Sequence, residues 1–223
     1  MPSRSLVLTA LLFLGAAASV RADAEPLPSR VYLVAGLSLP YQSGPHGEAE
    51  YHTFVAAPGG WTAGWLVGAG FVVSRRLALD IELSSTGTMS AREPTRYDRV
   101  ENVERRDRFL TVGPRLFLRA GRTVRLEPSL GLVLAFSDAW FQTEYYATAN
   151  PPQLLFIDAK RPADLPVRLG LAGGLDLRVG GPHFAVVPSL HVIATAKSDT
   201  LSTFPGGFPT WTFRPGLAIR ADF

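Results

Sequence analysis

A two-residue alternation of apolar with small or charged residues runs through segment after segment of this chain. It narrows the possible folds more than any other feature, because period two is the signature of strands. The first segment, 30–41, places Val31, Leu33, Ala35, Leu37 and Leu39 on one face. The second, 62–73, does the same with Ala63, Trp65, Val67, Ala69, Phe71 and Val73. Six more follow at 77–84, 109–119, 124–136, 165–179, 184–195 and 211–223, which gives eight predicted strands.

The composition of the two faces decides what surrounds them. In every segment the apolar parity is free of charge. The opposite parity carries Asp80, Glu82, Arg115, Arg119, Arg125, Glu127, Arg168, Asp176, Arg178, Arg214, Arg220 and Asp222. Its remaining positions are mostly small, among them Gly36, Gly68, Gly70, Gly113, Gly131, Gly170 and Gly174. A water-facing exterior would show Lys, Gln and Thr there instead. Glycines with charges of both signs suit the narrow interior of an eight-stranded barrel, which side chains just fill. The Leu, Val, Phe and Trp set would overfill that interior but has unlimited room against lipid. Closure also satisfies the backbone ladder, as a bilayer requires. The expected fold is therefore all-β: an eight-stranded antiparallel up-and-down transmembrane β-barrel whose lumen charges pair with one another.

The connections support this. Short turns at 74–76, 120–123 and 180–183 alternate with long loops at about 42–61, 85–108, 137–164 and 196–210. Short periplasmic turns and longer external loops are the pattern of transmembrane barrels. The N-terminus reads as an export signal over 1–24: Arg4 in the n-region, an apolar stretch from Leu6 to Ser19, and Ala22-Asp23-Ala24 as the cleavage site. The barrel then occupies 25–223. With 22 basic and 19 acidic residues, the net charge of +3 gives no case for binding nucleic acid. The chain has no cysteine, which excludes disulfides and thiolate chemistry.

Two hairpins, from Gly68 to Leu83 and from Arg168 through Pro182 into the strand at Phe184, resemble the small outer-membrane β-barrel family. The last segment is similar to the C-terminal signal that such proteins present to the barrel-assembly machinery. Phe213, Leu217, Ile219 and Ala221 alternate and end on the aromatic Phe223. The resemblance implies outer-membrane location, contact with outer-membrane lipid and lipopolysaccharide, and recognition by the assembly machinery during insertion.

Other constellations carry less specific chemistry. In the first long loop, His46, Glu48, Glu50 and His52 share one face if extended, a possible imidazole–carboxylate set for zinc or another divalent ion; no cofactor is otherwise implied. Ser189 and His191 lie two apart on the inward parity and faintly resemble the serine–histidine pair of outer-membrane lipid A deacylases, with no acid assignable from sequence. Arg92, Arg96, Arg99, Arg105, Arg106 and Arg108, mixed with acids in the second loop, read as a solvated loop or as forks for lipopolysaccharide phosphates. Trp140, Phe141, Tyr145 and Tyr146 are expected to continue an interfacial aromatic girdle. Pro114, Pro128, Pro188 and Pro215 fall inside predicted strands and suggest local bulges. The function expected is a structural or surface-interaction barrel without catalysis. The alternatives are a lipid A-modifying enzyme and a narrow small-solute pore.

Overall fold

The computed structural model describes residues 30–42, 59–96, 98–119, 124–147, 152–163, 165–196 and 210–223. Eight long strands form the wall: β1 (Val31–Ser38), β2 (Gly64–Ser74), β3 (Leu77–Ser85), β4 (Arg99–Leu116), β5 (Val124–Ala147), β6 (Arg168–Gly180), β7 (Phe184–Thr195) and β8 (Trp211–Asp222). Each pairs antiparallel with its chain neighbour. β8 returns to β1, with Tyr32 opposite Asp222 and Ser38 opposite Gly216. The ring is closed, so no wall strand is left with a bare edge. All eight expected strands are present.

The alternation sets the radial direction of every side chain. Leu37, Phe71, Leu79, Leu132, Leu169, Leu217, Ile219 and Phe223 all point outward and are exposed. Burying one such side chain in an apolar medium is worth roughly 1.5–3 kcal/mol. A continuous belt of them fits a hydrocarbon solvent rather than water. At the end away from the short turns, Tyr41, Trp61 and Phe213 form an aromatic cluster, with ring centroids 5.1 Å and 6.2 Å apart along the chain of contacts. The β6–β7 turn depends on Gly180: its φ is 153°, and a Cβ would lie 2.6 Å from the Phe184 carbonyl.

The four prolines occupy the ladder without bulges, contrary to expectation. Pro114 pairs with Leu79, Pro128 with Leu175, Pro188 with Leu217 and Pro215 with Leu190, each in unshifted register. The ladder opens on the opposite side instead. The β4–β5 pairing skips from Val112↔Leu132 to Arg115↔Ser129, and β6–β7 skips from Asp176↔Ser189 to Val179↔Val186. A proline lacks one donor, so a gap of two residue pairs on one side accommodates it and no extra residue is required.

A second difference lies beyond the barrel mouth. Two of the long loops, 85–108 and 137–164, are largely strand. β4 and β5 continue past Phe109 and Ala135 as a paired arm reaching Arg99↔Tyr145. The strand Met89–Arg96 flanks β4, while Gln153–Ile157 and Arg161–Ala163 flank β5. Charges lie on both faces of this arm, which hides the strand period from a hydrophobicity reading. Tyr145 and Tyr146 ride on the arm rather than in the girdle, and Tyr145 stacks on Phe156 with centroids 4.3 Å apart.

Candidate functional site

The lumen holds most of the charges singled out from the sequence and divides into two polar compartments. In the compartment nearer the short turns, Arg115 is the hub. It pairs with Asp80 and Asp176 and lies 3.6 Å from Glu127. Glu127 accepts from Arg220 at 2.8 Å, and Arg220 also donates to Asp222 at 2.7 Å. Asp222 accepts in turn from Arg178 at 2.9 Å. On the other flank, Arg214 donates to Glu82 at 2.5 Å. Tyr32 closes the group: its hydroxyl donates to Asp80, and the Arg220 guanidinium sits 3.5 Å over its ring. Carboxylates that each engage an arginine meet the condition for holding charge out of water.

Glycines make room for this network. A Cβ on Gly70 would lie 2.0 Å from Cζ at the hydroxyl end of Tyr32, and one on Gly174 would lie 2.6 Å from the His191 imidazole. Two small cavities flank Arg115, of about 20 Å³ and 30 Å³. Each is large enough for about one water molecule.

His191 is fully engaged. Its Nδ1 faces the Arg214 guanidinium at 2.6 Å and its Nε2 faces Asp176 Oδ1 at 2.8 Å. An arginine can only donate, so Nδ1 accepts and Nε2 carries the proton that goes to the carboxylate. No ring lone pair remains for Ser189, which lies in the next inward position of β7. The acid that the sequence left unassigned is thus Asp176, but it orients an imidazole that serves as a link between Asp176 and Arg214.

Above this compartment, Phe109, Val133, Ala135, Ala172 and Ile193 form a buried apolar layer. Beyond it lies a second polar group. Gln42 donates to Asp107 at 2.7 Å and to Thr212 at 2.9 Å, while Arg105 donates to Gln42 and, at 2.9 Å, to Asp107. Ser137 donates to Asp107 at 2.6 Å, and Arg168 to Ser137 at 3.0 Å and Thr195 at 3.2 Å.

Of the twelve charges expected to form one network, nine join in the lower compartment. Arg168 belongs to the upper one, Arg125 stacks 5.0 Å over Phe117, and the Arg119 side chain lies outside the described residues, as do His46, Glu48, Glu50 and His52. Sequence reasoning missed Tyr32, Gln42, Arg105, Asp107 and Thr212. Extending the alternation through Val103, Arg105 and Asp107 to Phe109 was the signal that could have found two of them.

On the outer face of the arm, Glu144 accepts from Arg92 at 2.7 Å, Asn102 at 2.7 Å and Tyr146 at 2.6 Å. These three bonds, that from Arg92 foremost, hold its carboxyl down to about 2. Arg108 pairs with Asp138 and Lys160 with Glu104, with Lys160 also 5.5 Å from the Trp140 ring.

No protein-family model matches the chain, and no curated protein matches it. Solved structures do. Neisserial surface protein A is similar at 10% identity over 87% of this chain and 98% of that one, with a TM-score of 0.55. OprG of Pseudomonas aeruginosa aligns at 9% identity over 90% and 100% of the two chains, with a TM-score of 0.49. A major outer membrane protein of Thermus thermophilus aligns at 14% identity over 86% and 99%, also at 0.49. At such identities only the fold is shared, and the first of these carries that conclusion: the chain has the fold of the eight-stranded outer-membrane barrels.

Proposed function

We propose that this chain is exported through its leader, inserted by the barrel-assembly machinery, and serves in the outer membrane as a structural or surface-interaction protein without catalysis. The observation that carries the reading is the pairing of an uncharged, exposed outer belt with a lumen filled from mouth to mouth by side chains. A barrel built this way has its variable surface outside, on the arm and loops. Lipid A is the neighbour at the belt, and lipopolysaccharide phosphates are the partners that Arg106, Arg108 and Lys160 at the base of the arm suit best. Phe223 and the alternating residues before it are the proposed assembly signal; Leu217 and Ile219 on β8 and Phe223 just past its end are all exposed.

The test is fractionation followed by gel migration with and without boiling, on the native chain and on Leu130→Arg. The native chain should enrich in the outer membrane with a heat-shifted band. An arginine on the lipid face costs ~2–4 kcal/mol at the bilayer midplane, so the variant should lose most of the folded band. A soluble periplasmic protein, or a variant with an unaltered band, would overturn the reading.

A further inference from the structure

The two ends of the barrel differ in how their charge is balanced. On the arm, Arg92 faces Glu144, Arg108 faces Asp138, Arg161 faces Asp158 and Lys160 faces Glu104. At the short-turn end, Arg30, Arg76, Arg119, Arg125 and Arg178 lie at or beside the ends of five neighbouring strand segments. The carboxylate they meet, Asp222, is buried and already shared by Arg178 and Arg220. Arg125 lies against the Phe117 ring, and Arg30, Arg76 and Arg125 have no carboxylate partner among the described residues.

The backbone register adds a like-charge row to this imbalance. Arg125 stands opposite Arg119 on one side and opposite Arg178 on the other. Like charges placed directly opposite one another destabilise a sheet, and an anion lying across them reverses the sign.

Depth says which anion. Each of these arginines stands one position from the lowest outward residue of its strand, as Arg30 does from exposed Val31 and Arg178 from exposed Val179. One residue is ~3.3 Å of strand, so the row lies at the edge of the apolar belt, level with the headgroups of the surrounding leaflet. Phe184 and Phe223, both exposed at this end, mark the same boundary. Arginine stems lie along apolar surface while their heads reach the interface, and a guanidinium grips phosphate with two parallel bonds. Arg30 and Arg76 are exposed and Arg125 is half-buried, so all three are free to turn toward such a phosphate.

We propose that the short-turn end is a collar for the phosphates of anionic phospholipids, with Arg30, Arg76 and Arg125 as the gripping residues. That the leaflet concerned is the periplasmic one rests on the orientation in the function proposed above.

The folded chain, purified in a neutral detergent, is offered equal amounts of dioleoyl-phosphatidylglycerol and dioleoyl-phosphatidylcholine, and retained lipid is counted by native mass spectrometry. The native chain is expected to retain phosphatidylglycerol several-fold over phosphatidylcholine. R30Q/R76Q/R125Q should lose most of that preference, whereas R92Q/R99Q/R161Q, which removes as many arginines from the far part of the arm, should keep it. If the triple collar variant loses its heat-shifted band, R30Q/R76Q carries the test, because it leaves the Arg125–Phe117 contact intact. Equal retention of the two lipids by the native chain would overturn the collar. So would a collar variant that keeps the full preference, or an arm variant that loses it. Displacement of the phosphatidylglycerol by inorganic phosphate would overturn the lipid as the occupant. Orientation is read separately from G181C, in a chain with no cysteine of its own and at a site where a Cβ meets nothing closer than 3.9 Å. Impermeant maleimide should leave it unlabelled on intact cells; labelling there would overturn the periplasmic assignment alone and leave the lipid preference standing.

Discussion

The two polar compartments of the lumen solve the same problem in different ways. Below the Phe109 layer, charge meets charge: Arg115, Arg178, Arg214 and Arg220 face Asp80, Glu82, Glu127, Asp176 and Asp222, with His191 as a neutral link. Above it, a single carboxylate, Asp107, faces Arg105 at 2.9 Å and Arg168 at 4.0 Å, and the other partners are neutral: Gln42, Thr212, Ser137 and Thr86. The lower group lies at the depth of the lipid-facing belt, where only an opposite charge compensates a bare one. The upper group lies near the mouth, where amides and hydroxyls are enough.

The comparison breaks most sharply at Arg220. Replacing it with Met takes the nearer arginine from Glu127 and one of two from Asp222, leaving Arg115 at 3.6 Å and Arg178 at 2.9 Å, and empties the face of Tyr32. The expected loss is ~3 kcal/mol, the low end for removing one partner of a buried ion pair, and is read from the urea midpoint of the heat-shifted band. Adding Glu127→Leu to Arg220→Met should return part of that loss, since removing both charges is milder than removing one. If the double variant is the less stable, the lower compartment is not held by paired charge.

Gln42→Leu tests the upper compartment and should cost less, ~1–3 kcal/mol by the same measurement. The Arg105–Asp107 pair survives it, and what is lost is the bonds of one neutral amide to Asp107, Arg105 and Thr212. A loss equal to that of Arg220→Met would erase the distinction between the two halves.

The smallest effect lies outside the lumen, at Glu144. Its folded-state value of about 2 lies below the ~4.3 of an unfolded glutamate. The sign follows: its contribution is complete above the unfolded value and is lost as pH falls toward the folded one. Pepsin cleavage of the arm should therefore accelerate between about pH 4 and pH 2 in the native chain. The same profile should be flatter in Glu144→Gln. Identical profiles would mean that the exposed cluster does not tie Met89–Arg96 to β5.

The eight wall strands were legible because the outward parity of each is uncharged and mostly apolar, while the inward parity carries the charges and glycines even though Phe109, Val133 and Ile193 interrupt it. The arm was not, because Glu104, Arg106 and Asp138 lie on one face while Arg105 and Asp107 lie on the other, so water on one side and a polar mouth on the other leave no apolar stripe to count. The prolines were misjudged for a related reason. A sequence shows the missing donor but not which neighbouring strand it would have served. Pairing on one side and an open rung on the other is a property of the ladder, visible at Pro114 between Leu79 and the β4–β5 gap.

By itself, then, the sequence determined strand number, the direction of each side chain and the charge of each face, because these depend only on residue type and a period of two. Which arginine meets which carboxylate depended on closure of the ring. Arg220 reaches Glu127 across 93 positions of chain, and Arg214 reaches Glu82 across 132. Such distances are spanned only when β8 pairs with β1, so the division of the lumen by Phe109 and its neighbours was decided by the tertiary structure.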